Sequence, residues 1–77
     1  MREISITTEF IKLDSLLKFA GVSADGAQAK ALILAGQVLV SGEVCMQRGK
    51  KIRPGDTVSI PSLGIELCVT GDADNLA

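Results

Sequence analysis

The sequence predicts an α+β fold, two short adjacent helices packed on a small, mostly antiparallel sheet. Leu13, Leu16, Leu17 and Ala20 fall at i, i+3, i+4 and i+7, the stripe of an amphipathic helix, and a second helical stretch follows almost at once. From Gln37 onward the chain switches to short apolar runs separated by turn residues, which reads as strands. At 77 residues, 47% of them hydrophobic, the chain makes one small domain and is too apolar to be disordered. A domain of this size buries only about 60–65% of the surface its unfolded chain exposes, so its stability margin is thin.

The elements follow in order. Ile4 and Ile6 alternate with Ser5 and Thr7, which predicts a strand over residues 3–7. Asp14 falls in the first turn of the first helix, where a carboxylate suits the helix dipole, and Gly21 is its stop. The second helix has capping-box spacing at Asp25 and Gln28, with Ser23 as the alternative cap. Ala29, Leu32 and Ile33 form its buried stripe, Leu34 falls off that stripe, and Gly36 closes it. Residues 37–40 and 43–46 flank Ser41-Gly42, a turn pair that makes them a hairpin. Arg48-Gly49-Lys50-Lys51 is a basic loop, and Pro54-Gly55-Asp56 is a turn by its chemistry. Strands are expected over 57–60 and 65–69. The domain is expected to span residues 1–70, with a core motif over 11–60 and a frayed polar tail over 71–77.

Several function classes are excluded by composition. Without His, the chain has no imidazole for acid/base catalysis, and its two cysteines cannot fill a structural zinc site, so neither a catalytic centre nor a metal site is expected. Cys45 and Cys68 lack a His partner to activate a thiolate. With no Tyr or Trp and two Phe, the chain does not carry an aromatic platform for stacking successive bases. The longest apolar run, Ala31 to Ala35, is too short to span a bilayer. Met1-Arg2-Glu3 begins no secretory signal, so a cytoplasmic protein with reduced cysteines is expected, and no membrane or small-molecule partner.

Net charge is −1, but it is unevenly spread. Residues 12–53 carry seven basic and three acidic side chains, a net of +4, while residues 54–77 carry −4. This asymmetry allows a basic face on an acidic chain.

These segments, taken in order, resemble the RNA-binding domain named after small-subunit ribosomal protein S-four, the alpha-L motif. The resemblance runs from Ile11 to Ile60. Lys12-Leu13-Asp14 with Leu16-Leu17 matches the family's opening of the first helix. Ala29-Lys30 with Ile33, Gly36, Val38 and Val40 matches the second helix and its exit, and Gly55-Asp56-Thr57-Val58 matches the Gly-Asp-x-Val/Ile that opens the family's final strand. Gly26-Ala27-Gln28-Ala29-Lys30 and Arg48-Gly49-Lys50-Lys51 are most similar to small stand-alone bacterial members. The sequence departs from the family at Asp25-Gly26, where Ser-Arg is common, and at Ser41, where Asn is usual.

The resemblance implies a monomeric binding protein without cofactor. Its partner would be structured RNA, ribosomal or transfer RNA, with ribosome association left open. Lys12, Lys18, Lys30, Arg48, Lys50 and Lys51 are the candidate phosphate contacts, and Gln28 could donate to a phosphate or a 2′-hydroxyl. Arg48 can grip a phosphate bidentately, whereas the lysines act as point charges. Each lysine alone also fits an ordinary solvated helix face. Two other classes compete. A ubiquitin-like sulfur carrier would need a C-terminal Gly-Gly, and this chain ends Asn75-Leu76-Ala77. A protein-interaction adaptor that keeps the fold with little RNA affinity is the stronger alternative.

Overall fold

The computed structural model describes residues 2–71. Strand β1 (Arg2–Ile6) leads through a short strand β2 (Ile11–Lys12) into helix α1 (Leu13–Phe19) and then helix α2 (Gly26–Leu34). Strands β3 (Leu39–Val40), β4 (Glu43–Val44), β5 (Lys51–Ile52), β6 (Thr57–Ile60) and β7 (Ile65–Gly71) follow, with one 3₁₀ turn at Pro61–Leu63. Five strands form the main sheet in the order β1-β7-β6-β3-β4, and β2 pairs with β5 in a ladder of its own. All pairings are antiparallel except β1 with β7. This is the expected α+β architecture.

Both helices stop in the same way. The Gly21 N–H donates to Lys18 O and the Val22 N–H to Leu17 O, and Gly36 and Gln37 repeat that pair of bonds on Ile33 O and Leu32 O. Gly21 and Gly36 sit at φ +76° and +73°, the left-handed step such an ending needs and one that costs glycine nothing. Arg2 of β1 adds a further tie, donating from Nη2 to Ala20 O at 2.7 Å, so that a cation stands at the C-terminal end of α1.

The core lies between the helices and one face of the sheet. Ile4 and Ile6 of β1, Val58 and Ile60 of β6, and Leu67 and Val69 of β7 alternate inward, as a half-buried sheet requires. The helices bring Leu13, Leu16, Leu17, Ala20, Ala29 and Ile33 against them. Leu32 is only partly buried at the edge of this cluster, and Leu34 is 49% exposed, as its place off the stripe predicts.

Several segments differ from the sequence expectation. Strand β1 covers Arg2–Ile6 rather than 3–7, and β2 at Ile11–Lys12 has no counterpart in the expected elements. The last strand runs past Val69 to Gly71, because Ile6 pairs with Gly71 in the parallel ladder; 72–77, the rest of the expected tail, lies outside the described residues. The hairpin strands are shorter than expected, with only Leu39–Val40 and Glu43–Val44 in the ladder. The basic loop gives up its last residue, Lys51, to β5. The two cysteines are free thiols. Cys68 lies on β7 and Cys45 just beyond β4, three strand positions away in the sheet. At about 4.8 Å per strand that separation is roughly 14 Å, twice what a disulfide spans between Cα atoms.

Candidate nucleic-acid interface

The start of α1 is built unlike an ordinary helix N-terminus. Its N-cap position is held by Lys12, in extended conformation, whose side chain makes no capping bond. A helix start leaves backbone N–H groups without intrahelical partners. Here the basic loop satisfies them with its main chain: the Leu13 N–H donates to Lys50 O at 2.9 Å and the Asp14 N–H to Arg48 O at 3.1 Å. The Ser15 N–H donates to the Asp14 carboxylate at 2.8 Å. The loop is therefore fixed to the helix by carbonyls, which leaves its side chains free of any structural duty at this joint.

The β2–β5 ladder completes the arrangement. Ile11 lies opposite Ile52 and Lys12 opposite Lys51. The isoleucine pair ties the ladder to the core, Ile52 being fully buried. The lysine pair puts like charges across the ladder, which is unfavourable. Lys12 also holds a cation at the positive end of the α1 dipole, which is unfavourable again. Lys51 has one compensating neighbour, Phe10, whose ring centroid is 4.9 Å from Nζ. Among the described residues, no ion pair involves Lys12, Arg48, Lys50 or Lys51, and all four are exposed. Apart from Asp14 in the first turn of α1, negative charge at this corner is lacking, so an approaching anion would be favourable there.

The other candidate residues stand apart. Lys18 is exposed in the last turn of α1, about 9 Å along the axis from Lys12 at 1.5 Å per residue. Lys30 is exposed in the middle of α2. Gln28, two residues earlier, lies about 200° around the same helix and so on the opposite flank. Its Oε1 accepts the Ala24 N–H at 2.7 Å while the Asp25 carboxylate accepts the Gln28 N–H at 2.8 Å. Gln28 thus works as part of the helix cap, reaching one residue further back than the capping-box spacing predicts.

Beside the loop, an open groove of about 720 Å³ runs along the β3–β4 hairpin, lined by Lys50, Lys51 and Arg53 together with Glu43 and Asp56. Asp56 does not neutralise the Arg53 guanidinium: its carboxylate accepts the Arg53 backbone N–H at 2.9 Å.

A family model described as the S4 domain matches residues 4–68. The chain belongs to the S4 domain family. A Bacillus subtilis relative named as a probable ribosome maturation protein, RlbA, is 43% identical over 61 residues, covering 79% of this chain and 86% of the relative. An Escherichia coli relative, YbcJ, carries a name that marks it as a candidate RNA-binding protein; it is 42% identical over 57 residues, covering 74% of this chain and 81% of its own.

In this S4 domain, then, Lys12, Arg48, Lys50 and Lys51 converge at one corner, with Lys18 and Lys30 on the two helices beyond it. Sequence reasoning found these residues without finding what joins them. The β2–β5 ladder is two residues long on each side, too short to leave a periodic signal, and the capping of α1 by loop carbonyls has no side-chain signature. Phe10 has no signal of its own in the sequence, since it enters the site only through Lys51, whereas Arg53, which the sequence leaves equally open to pairing with Asp56 or to contacting RNA, lines the adjoining groove. Among the described residues, no group of three or more His, Cys, Asp or Glu is placed to hold a metal ion, and no helix is long and apolar enough to cross a membrane.

Proposed function

We propose that this S4 domain binds structured RNA, ribosomal or transfer RNA, through phosphate and shape contacts, with no catalysis of its own. The observation that carries the reading is the Lys12–Lys51 pair: two like charges held opposite each other, without an acidic partner among the described residues, beside Arg48 and Lys50. A protein that needed this corner only for folding gains nothing from that arrangement. A phosphate backbone supplies the missing negative charge and releases its own counterions as it binds. Lys18 and Lys30 extend the contact along α1 and α2, and Gln28 offers the amide nitrogen left over from its capping role. Backbone contacts of this kind position the protein on RNA and carry no base information, which fits a chain with two phenylalanines and no other aromatic residue.

The RlbA name, with its ribosome maturation, supports a setting on or near the ribosome, and the YbcJ name supports RNA binding. The domain acts as a cytoplasmic monomer in this reading. The test is direct binding to a ribosomal RNA hairpin and to a transfer RNA at low and moderate salt. The parent should bind both, and the Lys50→Ala, Lys51→Ala double variant should bind both more weakly by a similar factor. A parent that fails to bind either RNA at low salt would leave the adaptor reading in possession.

A further inference from the structure

The groove along the β3–β4 hairpin holds a second chemistry. Val44 and Met46 line it, 57% and 54% exposed, and neither belongs to the hydrophobic core or packs against it. Lys50, Lys51 and Arg53 line the same groove against the carboxylates of Glu43 and Asp56, which leaves one cation in excess. Cations beside unclaimed apolar side chains in a concavity of about 720 Å³ match a ligand that is anionic at one end and flat and apolar at the other. A paired A-form stem does not offer that combination. Its bases stay stacked, its major groove is too narrow for side chains, and its outer surface is phosphate and ribose. An unpaired nucleotide does offer it, with phosphate for the cations and a base face for the apolar pair.

We infer that this groove receives one unpaired nucleotide adjoining the bound stem, its phosphate facing Lys50, Lys51 or Arg53 and its base packed on Val44 and Met46. The inference rests on the RNA-binding reading and refines it: the RNA class becomes a stem bearing a bulge or a single-stranded flank. Base packing on a valine and a methionine is tolerant of sequence, so the groove selects for an unpaired position rather than for a particular base.

The experiment compares two hairpins with the same stem, one continuous and one carrying a single-nucleotide bulge, bound by the parent and by a Val44→Ser, Met46→Ser double variant whose fold is checked by circular dichroism. The parent should prefer the bulged hairpin by about tenfold, the scale expected for covering two half-exposed apolar side chains. The double variant should lose that preference and keep its affinity for the continuous stem. Arg53→Ala, a second variant outside the hairpin, should weaken the bulged complex more than the continuous one. Equal affinity of the parent for both hairpins, or equal losses on both in the variants, would overturn the groove assignment and leave RNA binding standing. Failure of the parent to bind either hairpin at low salt would remove both.

Discussion

Asp25 and Ser23 compete on paper for the start of α2, and hydrogen bonding separates them. Asp25 accepts the Gln28 N–H, whereas the hydroxyl of Ser23, a residue 6% exposed, has no hydrogen-bond partner among the described residues. Asp25→Ala should therefore cost about 1 kcal/mol in a urea melt, the usual loss of an N-cap. Ser23→Ala should be neutral or slightly stabilising, because a buried hydroxyl without a partner carries a desolvation cost and no bond. A larger loss for Ser23→Ala would move the cap. Ser41 poses a different question. It sits at φ +50°, the one described non-glycine residue at positive φ, in the turn between β3 and β4. Asn tolerates that region better than Ser, so Ser41→Asn should raise the unfolding free energy read from a urea melt by about 0.5 kcal/mol at most, without touching the cationic corner.

At the scale of elements, α1 and the basic loop form one unit. A seven-residue helix is too short to stand by itself, and its first two N–H groups end on loop carbonyls. The loop's side chains and its backbone should then respond differently to substitution. Lys50→Ala keeps the carbonyl and should leave stability within about 0.5 kcal/mol of the parent. Lys50→Pro deletes the N–H that donates to Gln47 O at 3.1 Å and should cost about 1 kcal/mol or more, visible as faster hydrogen exchange at the Leu13 and Asp14 amides. Equal stabilities for the two variants would mean that the loop does not hold the helix. Lys12 gives the sharper trade-off. Lys12→Thr removes a like charge from across Lys51 and a cation from the helix N-terminus, so stability should rise by about 0.5 kcal/mol while RNA affinity falls. A variant that loses stability together with affinity would count Lys12 as structural.

Across the whole molecule the predicted quantity is a salt slope. With about four to six phosphates neutralised, log affinity should fall against log salt with a slope of roughly −3 to −5, each contact contributing about −0.7 to −0.9. The Lys50→Ala, Lys51→Ala variant should shallow that slope by about one to two units and weaken different structured RNAs about equally. Arg2→Ala should leave the slope alone, because Arg2 is tied to Ala20 O at the far end of α1, and should show its effect in stability instead. A flat slope in the parent would mean that binding does not run through phosphates.

Much of this protein can be read from its residues in order. The stripe of Leu13, Leu16, Leu17 and Ala20, the capping pair at Asp25 and Gln28, and the glycine stops are local facts, set by backbone geometry within a few residues. They decide that there are two helices, where α2 begins and where both end, while the start of α1 depends on the loop carbonyls of Arg48 and Lys50. The family motifs are local in the same sense, and they carried the S4 resemblance. The list of cations was legible too, because charge is a property of composition. What could not be read was adjacency. Lys12 and Lys51 are far apart in the chain and meet through a ladder of two residues per strand. The parallel pairing of β1 with β7, which draws Gly71 into the sheet, leaves no mark in either segment. Arg53, Val44 and Met46 share a groove only because β4 and the segment after β5 fold beside each other. Local sequence determines which elements form, since their hydrogen bonds close within a turn or two. Which charges share a corner is decided by long-range pairings that are too short to be periodic and are stabilised only once the core has brought them together.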